Sequence, residues 1–322
     1  MFLILGSTAS GKGQLAFDLA QSLGGEIISI DSMKVYRRMN IGTAKPPKEA
    51  RRHINYHLID IVEPSESFSV AAFLDAALEA IEQIKNRNKP IIAVGGTALY
   101  LKALLYGLFK GPGTDEQLRE QLRMRAQTEG LAKLHSELTK IDPAAADRIS
   151  PNDAKRIIRA LEVYQLTGEP ISSFQKQWAA PQVMDDGRGT SDERQATRND
   201  WTIIGLRREK TDTNSRINKR VKKMIADGLV DEVNRLLAEE KPLSKQARCA
   251  IGYAEIINYL AGRQTLEDAI ELIKKNTRRL AKGQRTWFKT FKNVHWLDIG
   301  PEDPPEKIFN ETKSLLRQPA ES

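Results

Sequence analysis

The sequence offers almost no sulfur chemistry. Among its 322 residues there is a single cysteine, Cys249. One cysteine cannot form an internal disulfide bond and cannot supply a cysteine-rich zinc site. The sequence also lacks any run of about 18 apolar residues, the length needed to cross a membrane, and the apolar stretch at its start is too short for a secretory signal. We therefore expect a soluble cytoplasmic protein with no membrane partner.

The composition that remains is that of a globular protein with a local excess of positive charge. Hydrophobic residues make up 40% of the chain, which excludes global disorder, and at about 150 residues per domain the length predicts two domains. Residues 201–300 contain 21 Lys and Arg against 12 Asp and Glu, and no acid interrupts the stretch from Lys274 to Lys292. Such a stretch can bind nucleic acid through counterion release, or it can be a solvated helix face. By itself the charge leaves both interpretations open.

The first third of the chain alternates short apolar runs with segments of helical spacing. Strands are predicted at 2–5, 26–30, 57–61 and 90–96, with helices at 14–23, at 70–84 and after residue 97. This alternation predicts the α/β class, a parallel sheet with helices on both faces. Ligands of such sheets bind beyond the carboxyl ends of the strands. Gly6–Gly13, Asp31 and Gly95–Thr97 all follow predicted strands, so we expect them to share one crevice.

The pattern changes near residue 112. Residues 115–167 are predicted to be almost wholly helical, the polar stretch 176–200 is predicted to be a mobile loop, and 201–206 is predicted to return to the sheet as a strand. We therefore predict a core formed by 1–111 and 201–298 with long helices up to about residue 292. A mainly helical insertion at 112–200 and a C-terminal tail at 299–322 complete the predicted organisation.

The segment after the first strand matches the phosphate-binding pattern G-x-x-x-x-G-K. It reads Gly6-Ser7-Thr8-Ala9-Ser10-Gly11-Lys12, and its backbone amides, the following helix N-terminus and the lysine together suit a diphosphate. The pattern normally continues with Ser or Thr, whose hydroxyl binds Mg²⁺, but this chain has Gly13. A metal must then find another ligand, be held through water and phosphate oxygens, or matter less.

Several segments together resemble one enzyme family, the tRNA dimethylallyltransferases, which place an isopentenyl group on adenosine 37 beside the anticodon. The matching stretches span about residues 3–290 and read GSTASGK, DSMKVYRRMNIGTAKP, HLIDI, GGTALYLKAL, DPAAADRISPNDAKRIIRALEV, RCAIGY and TRRLAKGQRTWF. The resemblance implies a P-loop NTPase-like core whose loop holds the diphosphate of dimethylallyl diphosphate. It also implies Mg²⁺ as cofactor and, as partner, the anticodon stem-loop of tRNAs that read codons beginning with U.

The resemblance assigns roles to individual residues. The aspartate of DSM, Asp31, becomes the base for the N6 proton, Lys12 and Arg216 contact the diphosphate, and Thr97 contacts either substrate. The residues implied to contact tRNA are Asp31, Ser32, Met33, Lys34, Thr97, Arg119, Lys155, Arg156, Ile157, Ile158, Arg159, Arg248, Cys249, Ala250, Ile251, Gly252 and Tyr253.

Structural alternatives accompany these roles. Asp31 can instead cap a turn, Thr97 can cap a helix, and Arg216 can lie on the surface. Tyr253 can stack on an unpaired base or pack against helices. We interpret Cys249 as a small packing residue in the RNA-side loop.

Other functions remain as alternatives to tRNA prenylation. They are a P-loop small-molecule kinase, a prenyltransferase acting on free adenine nucleotides, and an RNA-binding protein without activity. One further departure concerns Gly283, which stands where the family usually has Arg; it removes a cation and weakens a helix by about 1 kcal/mol relative to Ala. We expect the protein to be a monomer.

Overall fold

The computed structural model describes residues 1–108, 111–175 and 201–317. The chain divides into two compact units, one made of Met1–Leu105 and Ala196–Ser322 and the other of Tyr106–Gln195. The predicted loop at 176–200 lies outside the described residues. Among the helices described, none combines the length and the apolar character needed to span a membrane.

The first unit is built on a parallel sheet. Its strands are β1 (Phe2–Gly6), β2 (Glu26–Ile30), β3 (Tyr56–His57), β4 (Ile91–Gly95), β5 (Thr202–Arg208) and β6 (Val294–Ile299). They are arranged in the order β3-β2-β4-β1-β5-β6, and every neighbouring pair is parallel. Consecutive residues Leu3, Ile4 and Leu5 are all fully buried. Because side chains alternate between the faces of a strand, both faces of β1 are covered, and the predicted α/β class is confirmed.

The helices follow in chain order. They are α1 (Lys12–Leu23), α2 (Lys48–His53), α3 (Val70–Asn86), α4 (Ala98–Tyr106), α5 (Glu116–Thr128), α6 (Leu131–Ile141), α7 (Pro143–Ala146), α8 (Ala154–Thr167), α9 (Ile171–Phe174), α10 (Lys210–Ala226), α11 (Leu229–Leu237), α12 (Lys245–Arg248), α13 (Tyr253–Leu260), α14 (Leu266–Phe288) and α15 (Pro305–Arg317).

The register of the sheet places the predicted ligand-binding segments at one edge. Gly6, the last residue of β1, is opposite Leu206, and Ile30, the last residue of β2, is opposite Gly95 of β4. The strands β2, β4 and β1 are neighbours, so the segments that follow them start side by side. A Cβ on Gly95 would lie 2.1 Å from the carbonyl oxygen of Ile30, which explains the glycine at this close approach.

Two local predictions differ from the structure. The strand predicted at 57–61 ends at His57, because Leu58 and Asp60 have φ values of 62° and 57°, in the left-handed region that extended strands do not use. The tail predicted at 299–322 instead contains α15, which packs against α1, and strand β6 was not predicted. Helix α14 continues through Gly283, so this glycine does not break it.

The described part of the second unit contains helices and no strand. Residues 115–167 form α5 to α8, which confirms the prediction of an almost wholly helical segment. Its core contains Leu122, Leu134, Leu138 and Ile157, each at most 1% exposed. The apolar faces of these helices therefore bury one another within the unit.

Candidate active site

The loop between β1 and α1 has the shape of an anion cradle. Ala9 and Gly11 have positive φ values of 64° and 99°, in the left-handed region typical of tight turns, and Gly11 is the N-cap of α1. A Cβ on Gly6 would lie 2.6 Å from the Ser10 Oγ atom, so only glycine allows the loop to fold back this closely. The N-terminus of α1, with the positive end of the helix dipole, favours a bound anion.

Lys12 lies in an environment poor in solvent and rich in positive charge. Burial among protein atoms, together with the charges of Lys34 and Arg220, lowers the pKa of Lys12 to about 7, and Asp31 opposes the shift. Its Nζ donates a hydrogen bond to the carbonyl oxygen of Ser7 at 3.2 Å. An anion placed in the loop would relieve the repulsion between these cations.

Two arginines one turn apart on α10 bind the loop. Arg216 donates from Nε to the Ala9 carbonyl oxygen at 2.9 Å, and Arg220 donates from Nη1 to the Thr8 hydroxyl at 3.3 Å. Burial lowers the pKa of Arg220, while the charge of Asp31 raises it. Sequence analysis named Arg216 and missed Arg220, although the i, i+4 spacing puts both on one face of a helix.

Asp31 follows β2 and faces this group of cations. Its Oδ1 accepts hydrogen bonds from the amides of Met33 at 2.9 Å and Lys34 at 3.2 Å. This oxygen therefore caps the turn, as the structural alternative for Asp31 expected. Its Oδ2 has no hydrogen-bond partner within the described part of the chain. One oxygen thus fixes the orientation of the carboxylate, and the other remains available to a substrate.

Thr97 belongs to the same edge of the sheet. Its hydroxyl oxygen accepts a hydrogen bond from the Ser32 amide at 3.1 Å, which ties the turn after β4 to the residue that follows Asp31. A second connection comes from Gln284 of α14, which accepts from the Thr8 amide and donates to the Gly96 carbonyl oxygen, each at 2.8 Å. Sequence analysis did not single out Gln284, and nothing in its local sequence reveals these distant partners.

The protein ligands for a metal are few at this site. Gly13 has no side chain, and an added Cβ would find nothing within 4 Å. Within the described ranges, no group of three or more His, Cys, Asp and Glu side chains lies close enough together to hold a metal ion. The residues present therefore do not provide the usual P-loop ligand for Mg²⁺, and the loop is instead surrounded by Lys and Arg side chains.

The loop that follows the Asp31 turn is held by a buried carboxylate. Glu232 of α11 is 4% exposed and accepts hydrogen bonds from the amides of Asn40, Ile41 and Gly42. It also accepts from the Tyr253 hydroxyl at 2.6 Å. Sequence analysis did not identify Glu232, because acids in a helix face are normally solvent-exposed.

Of the two alternatives for Tyr253, the structure agrees with packing against helices and not with stacking on an RNA base. Tyr253 is 0% exposed, burial raises its pKa, and a Cβ on Gly42 would lie 2.4 Å from its ring. Ala250 and Gly252 are also buried, whereas Arg248 and Cys249 are exposed. The interpretation of Cys249 as a packing residue is therefore corrected, and the exposed part of this segment is its beginning.

In the second unit, some of the predicted RNA contacts are exposed, and others are paired with a buried carboxylate. Lys155 and Arg156 are exposed. Arg119 and Arg159 instead donate to Oε2 of the fully buried Glu162, at 3.0 and 2.8 Å. A buried carboxylate requires such partners, so both arginines have a structural role that the sequence did not reveal.

Two further residues of that segment are corrected. Ile157 and Ile158 are 0% and 9% exposed and belong to the core of the second unit. Their side chains are consequently not available for RNA.

The basic stretch predicted from Lys274 to Lys292 is only partly exposed to solvent. Helix α14 ends at Phe288, and Lys274 is 9% exposed and pairs with Glu271. Lys275, Arg279 and Lys282 are exposed, and their i, i+4, i+7 spacing places them on one side of the helix. We call these three residues the α14 basic face.

Comparison with known proteins places the chain in a family. The family model described as IPP transferase matches residues 34–291. The chain is 44% identical over 298 residues to the tRNA dimethylallyltransferase of Geobacter metallireducens, covering 92% of each chain. It is 41% identical over 317 residues to that of Acetivibrio thermocellus, covering 98% of this chain and 97% of the relative.

Solved structures agree with this placement. The full-length tRNA isopentenylpyrophosphate transferase from Bacillus halodurans is 40% identical, with a TM-score of 0.68 and coverage of 98% of this chain and 95% of that one. A eukaryotic dimethylallyltransferase captured acting on tRNA is 27% identical, with a TM-score of 0.75 over 100% of this chain and 81% of that one. The chain belongs to the IPP transferase family.

Proposed function

We propose that this protein transfers a dimethylallyl group from dimethylallyl diphosphate to N6 of adenosine 37 in tRNAs that read codons beginning with U. The proposal rests on one observation. A phosphate-type loop, the cations around it and a carboxylate with only one oxygen hydrogen-bonded lie at the same edge of the sheet. Membership of the IPP transferase family supports it. A kinase would share the loop but would also need a metal site, and this loop has Gly13 where the usual Ser or Thr would bind Mg²⁺.

The cradle formed by Gly6–Gly13 would hold the diphosphate. Amides of the loop, Lys12, Arg216 and Arg220 would neutralise the negative charge of the leaving group. That charge grows as the bond between C1 and the bridging oxygen breaks, so cations already in place lower the barrier. The apolar tail of the donor has to lie outside this polar loop.

Asp31 would act on the other substrate. The lone pair of N6 attacks C1 of the donor, the electron pair of the C1–O bond leaves with the diphosphate, and the proton released by N6 moves to Oδ2 of Asp31. The products are N6-(dimethylallyl)adenosine and diphosphate. The hydrogen bonds from Met33 and Lys34 to Oδ1 hold the carboxylate still, which is how a general base is kept in line with its substrate.

The exposed cations would bind the RNA. The α14 basic face, Arg248, and Lys155 with Arg156 of the second unit can contact phosphates. Adenosine 37 has to leave the base stack to reach the crevice. We propose that 112–200 serves as a helical insertion that contacts tRNA, and that the protein works as a cytoplasmic monomer.

Mg²⁺ is the expected divalent ion of such a reaction. Because Gly13 offers no ligand, the ion would enter with the diphosphate and be held through phosphate oxygens and water.

The proposal is tested by incubating the protein with an unmodified tRNA transcript and labelled dimethylallyl diphosphate. Nucleoside mass spectrometry is then compared with parallel reactions that contain free AMP, or ATP with a small-molecule acceptor. Prenylated adenosine from tRNA alone supports the proposal, and prenylated AMP or a phosphorylated acceptor supports one of the alternatives.

A further inference from the structure

Gln284 makes an unusual pair of hydrogen bonds. The side chain is 9% exposed, and both of its polar atoms are used, Oε1 by the Thr8 amide and Nε2 by the Gly96 carbonyl oxygen, each at 2.8 Å. The partners lie 276 and 188 residues away in sequence. Burial alone requires partners for both polar atoms of a glutamine, and here the two partners lie after two different strands, β1 and β4.

The packing around the amide is tight. A Cβ on Gly96 would lie 2.6 Å from Nε2 of Gln284 and 3.5 Å from Nζ of Lys12. The absence of a side chain at Gly96 therefore makes room for the amide, which sits close to the cation of the diphosphate loop.

The two bonds link the halves of the candidate site. Thr8 belongs to the loop after β1, which would hold the diphosphate. Gly96 precedes Thr97, whose hydroxyl receives the Ser32 amide, and Ser32 is adjacent to Asp31. A series of short bonds thus runs from the leaving-group end of the site to the proposed base.

We propose that Gln284 is a positioning residue that sets the spacing between the diphosphate loop and the turn carrying Thr97 and, through it, Asp31. The inference rests on the proposed function, since it concerns the alignment of the two substrates. In-line transfer is sensitive to such spacing, because a displacement of about 1 Å can cost about a hundredfold in rate. Gln284 touches neither reacting atom, so its effect has to appear mainly in turnover.

The test uses Gln284→Met, which preserves the length and shape of the side chain and removes both hydrogen bonds. The matched control is Asn276→Leu, because Asn276 lies on the same helix and donates through its amide to Glu255 at 2.7 Å, outside the candidate site. We measure turnover at saturating tRNA and dimethylallyl diphosphate, the KM of each substrate, and the midpoint of thermal unfolding.

We expect turnover of Gln284→Met to fall about tenfold or more, while its unfolding midpoint stays within about 3 °C of that of Asn276→Leu. Asn276→Leu should retain turnover within about threefold of the unchanged protein. Unchanged turnover in Gln284→Met would overturn the proposal, and so would an equal loss in both variants that follows their loss of stability.

A second variant keeps the test decisive if Gln284→Met does not fold. Gln284→Glu still accepts from the Thr8 amide but cannot donate to Gly96, and it brings a negative charge close to Lys12. We expect lower turnover together with a KM for dimethylallyl diphosphate raised about tenfold; values equal to those of the unchanged protein would contradict the proposed role. If the unchanged protein yields no prenylated tRNA, the proposed function is wrong. If the unchanged protein is active and the Gln284 variants are equally active, only the role of Gln284 is wrong.

Discussion

Arg220 donates a hydrogen bond from Nη1 to the hydroxyl oxygen of Thr8 at 3.3 Å. This bond brings a guanidinium from α10 to the loop after β1, 212 residues away in sequence. Arg216, one turn earlier, reaches the same loop at the Ala9 carbonyl oxygen. The loop is therefore lined by a cation from α1, the helix that follows it, and by cations from α10, which comes after the insertion in the sequence.

The first prediction compares two cations of α10. Arg220→Gln should weaken binding of dimethylallyl diphosphate by about tenfold or more, because it removes a charge-assisted contact from a poorly solvated site. Lys223→Gln on the same helix is the control, since Lys223 is exposed and pairs with Asp227. Isothermal titration calorimetry measures both affinities, and equal affinities would remove Arg220 from the cradle.

The second prediction concerns the base. Asp31→Asn keeps an oxygen that can accept from the amides of Met33 and Lys34, so the turn should persist. Turnover should fall by about 10²–10⁴-fold, the range expected when a general base is lost, while the dissociation constant for tRNA stays within about threefold. Single-turnover kinetics and filter binding measure the two quantities. Near-normal turnover would show that the proton leaves by another route.

The third prediction follows from the pKa of Lys12, which burial and nearby cations lower to about 7. Diphosphate binding favours the charged ammonium, so the site must take up a proton whenever the pH lies above this value. Affinity for dimethylallyl diphosphate should then decrease as the pH rises from 7 to 9, and proton uptake per site should rise towards one over the same range.

Calorimetry in buffers of different ionisation enthalpy measures this proton uptake directly. Lys12→Arg is the control, because an arginine remains charged throughout this range, and its proton uptake should be much smaller. Uptake of the same size in both proteins would assign the titration to another group.

The fourth prediction concerns Gly13. Because a Cβ there meets nothing within 4 Å, Gly13→Ser should fold normally and supply the hydroxyl that this loop lacks. Mg²⁺ should then increase the affinity for dimethylallyl diphosphate more in the variant than in the unchanged protein. Titrations with Mg²⁺ and with EDTA measure both increments. Equal increments would mean that this position does not contribute to metal binding.

The fifth prediction concerns the α14 basic face. Replacing Lys275, Arg279 and Lys282 together with Gln should reduce the slope of log affinity for tRNA against log salt by roughly two to three, since each phosphate contact contributes slightly less than one. The control replaces the exposed cations Lys48, Arg52 and Lys85 in the same way. A slope reduced equally by both sets would place the RNA elsewhere.

The sequence predicted the sheet edge well because it depends on local patterns. The loop of Gly6–Gly13, Asp31 and Thr97 each follow a short apolar strand, and parallel strands bring their carboxyl ends to one edge. The strand expected at 57–61 failed because the left-handed φ values of Leu58 and Asp60 reflect tertiary packing that no local propensity records.

The remaining features depend on contacts between distant residues. Tyr253 was open to base stacking by sequence, yet its ring is buried and its hydroxyl bonds Glu232. Gln284 looked like one polar residue among many on a charged helix, yet it reaches the Thr8 amide and the Gly96 carbonyl oxygen. Such partners depend on how the helices pack against the rest of the protein, and the periodic spacing of hydrophobic residues does not specify that packing.

The most direct test of the account is the mass of adenosine 37 after the protein has been incubated with unmodified tRNA and deuterium-labelled dimethylallyl diphosphate. We predict a labelled five-carbon group on N6 of that nucleoside, together with release of one diphosphate for each group transferred. An unmodified adenosine 37, with consumption of ATP and phosphorylation of a small acceptor instead, would contradict the account.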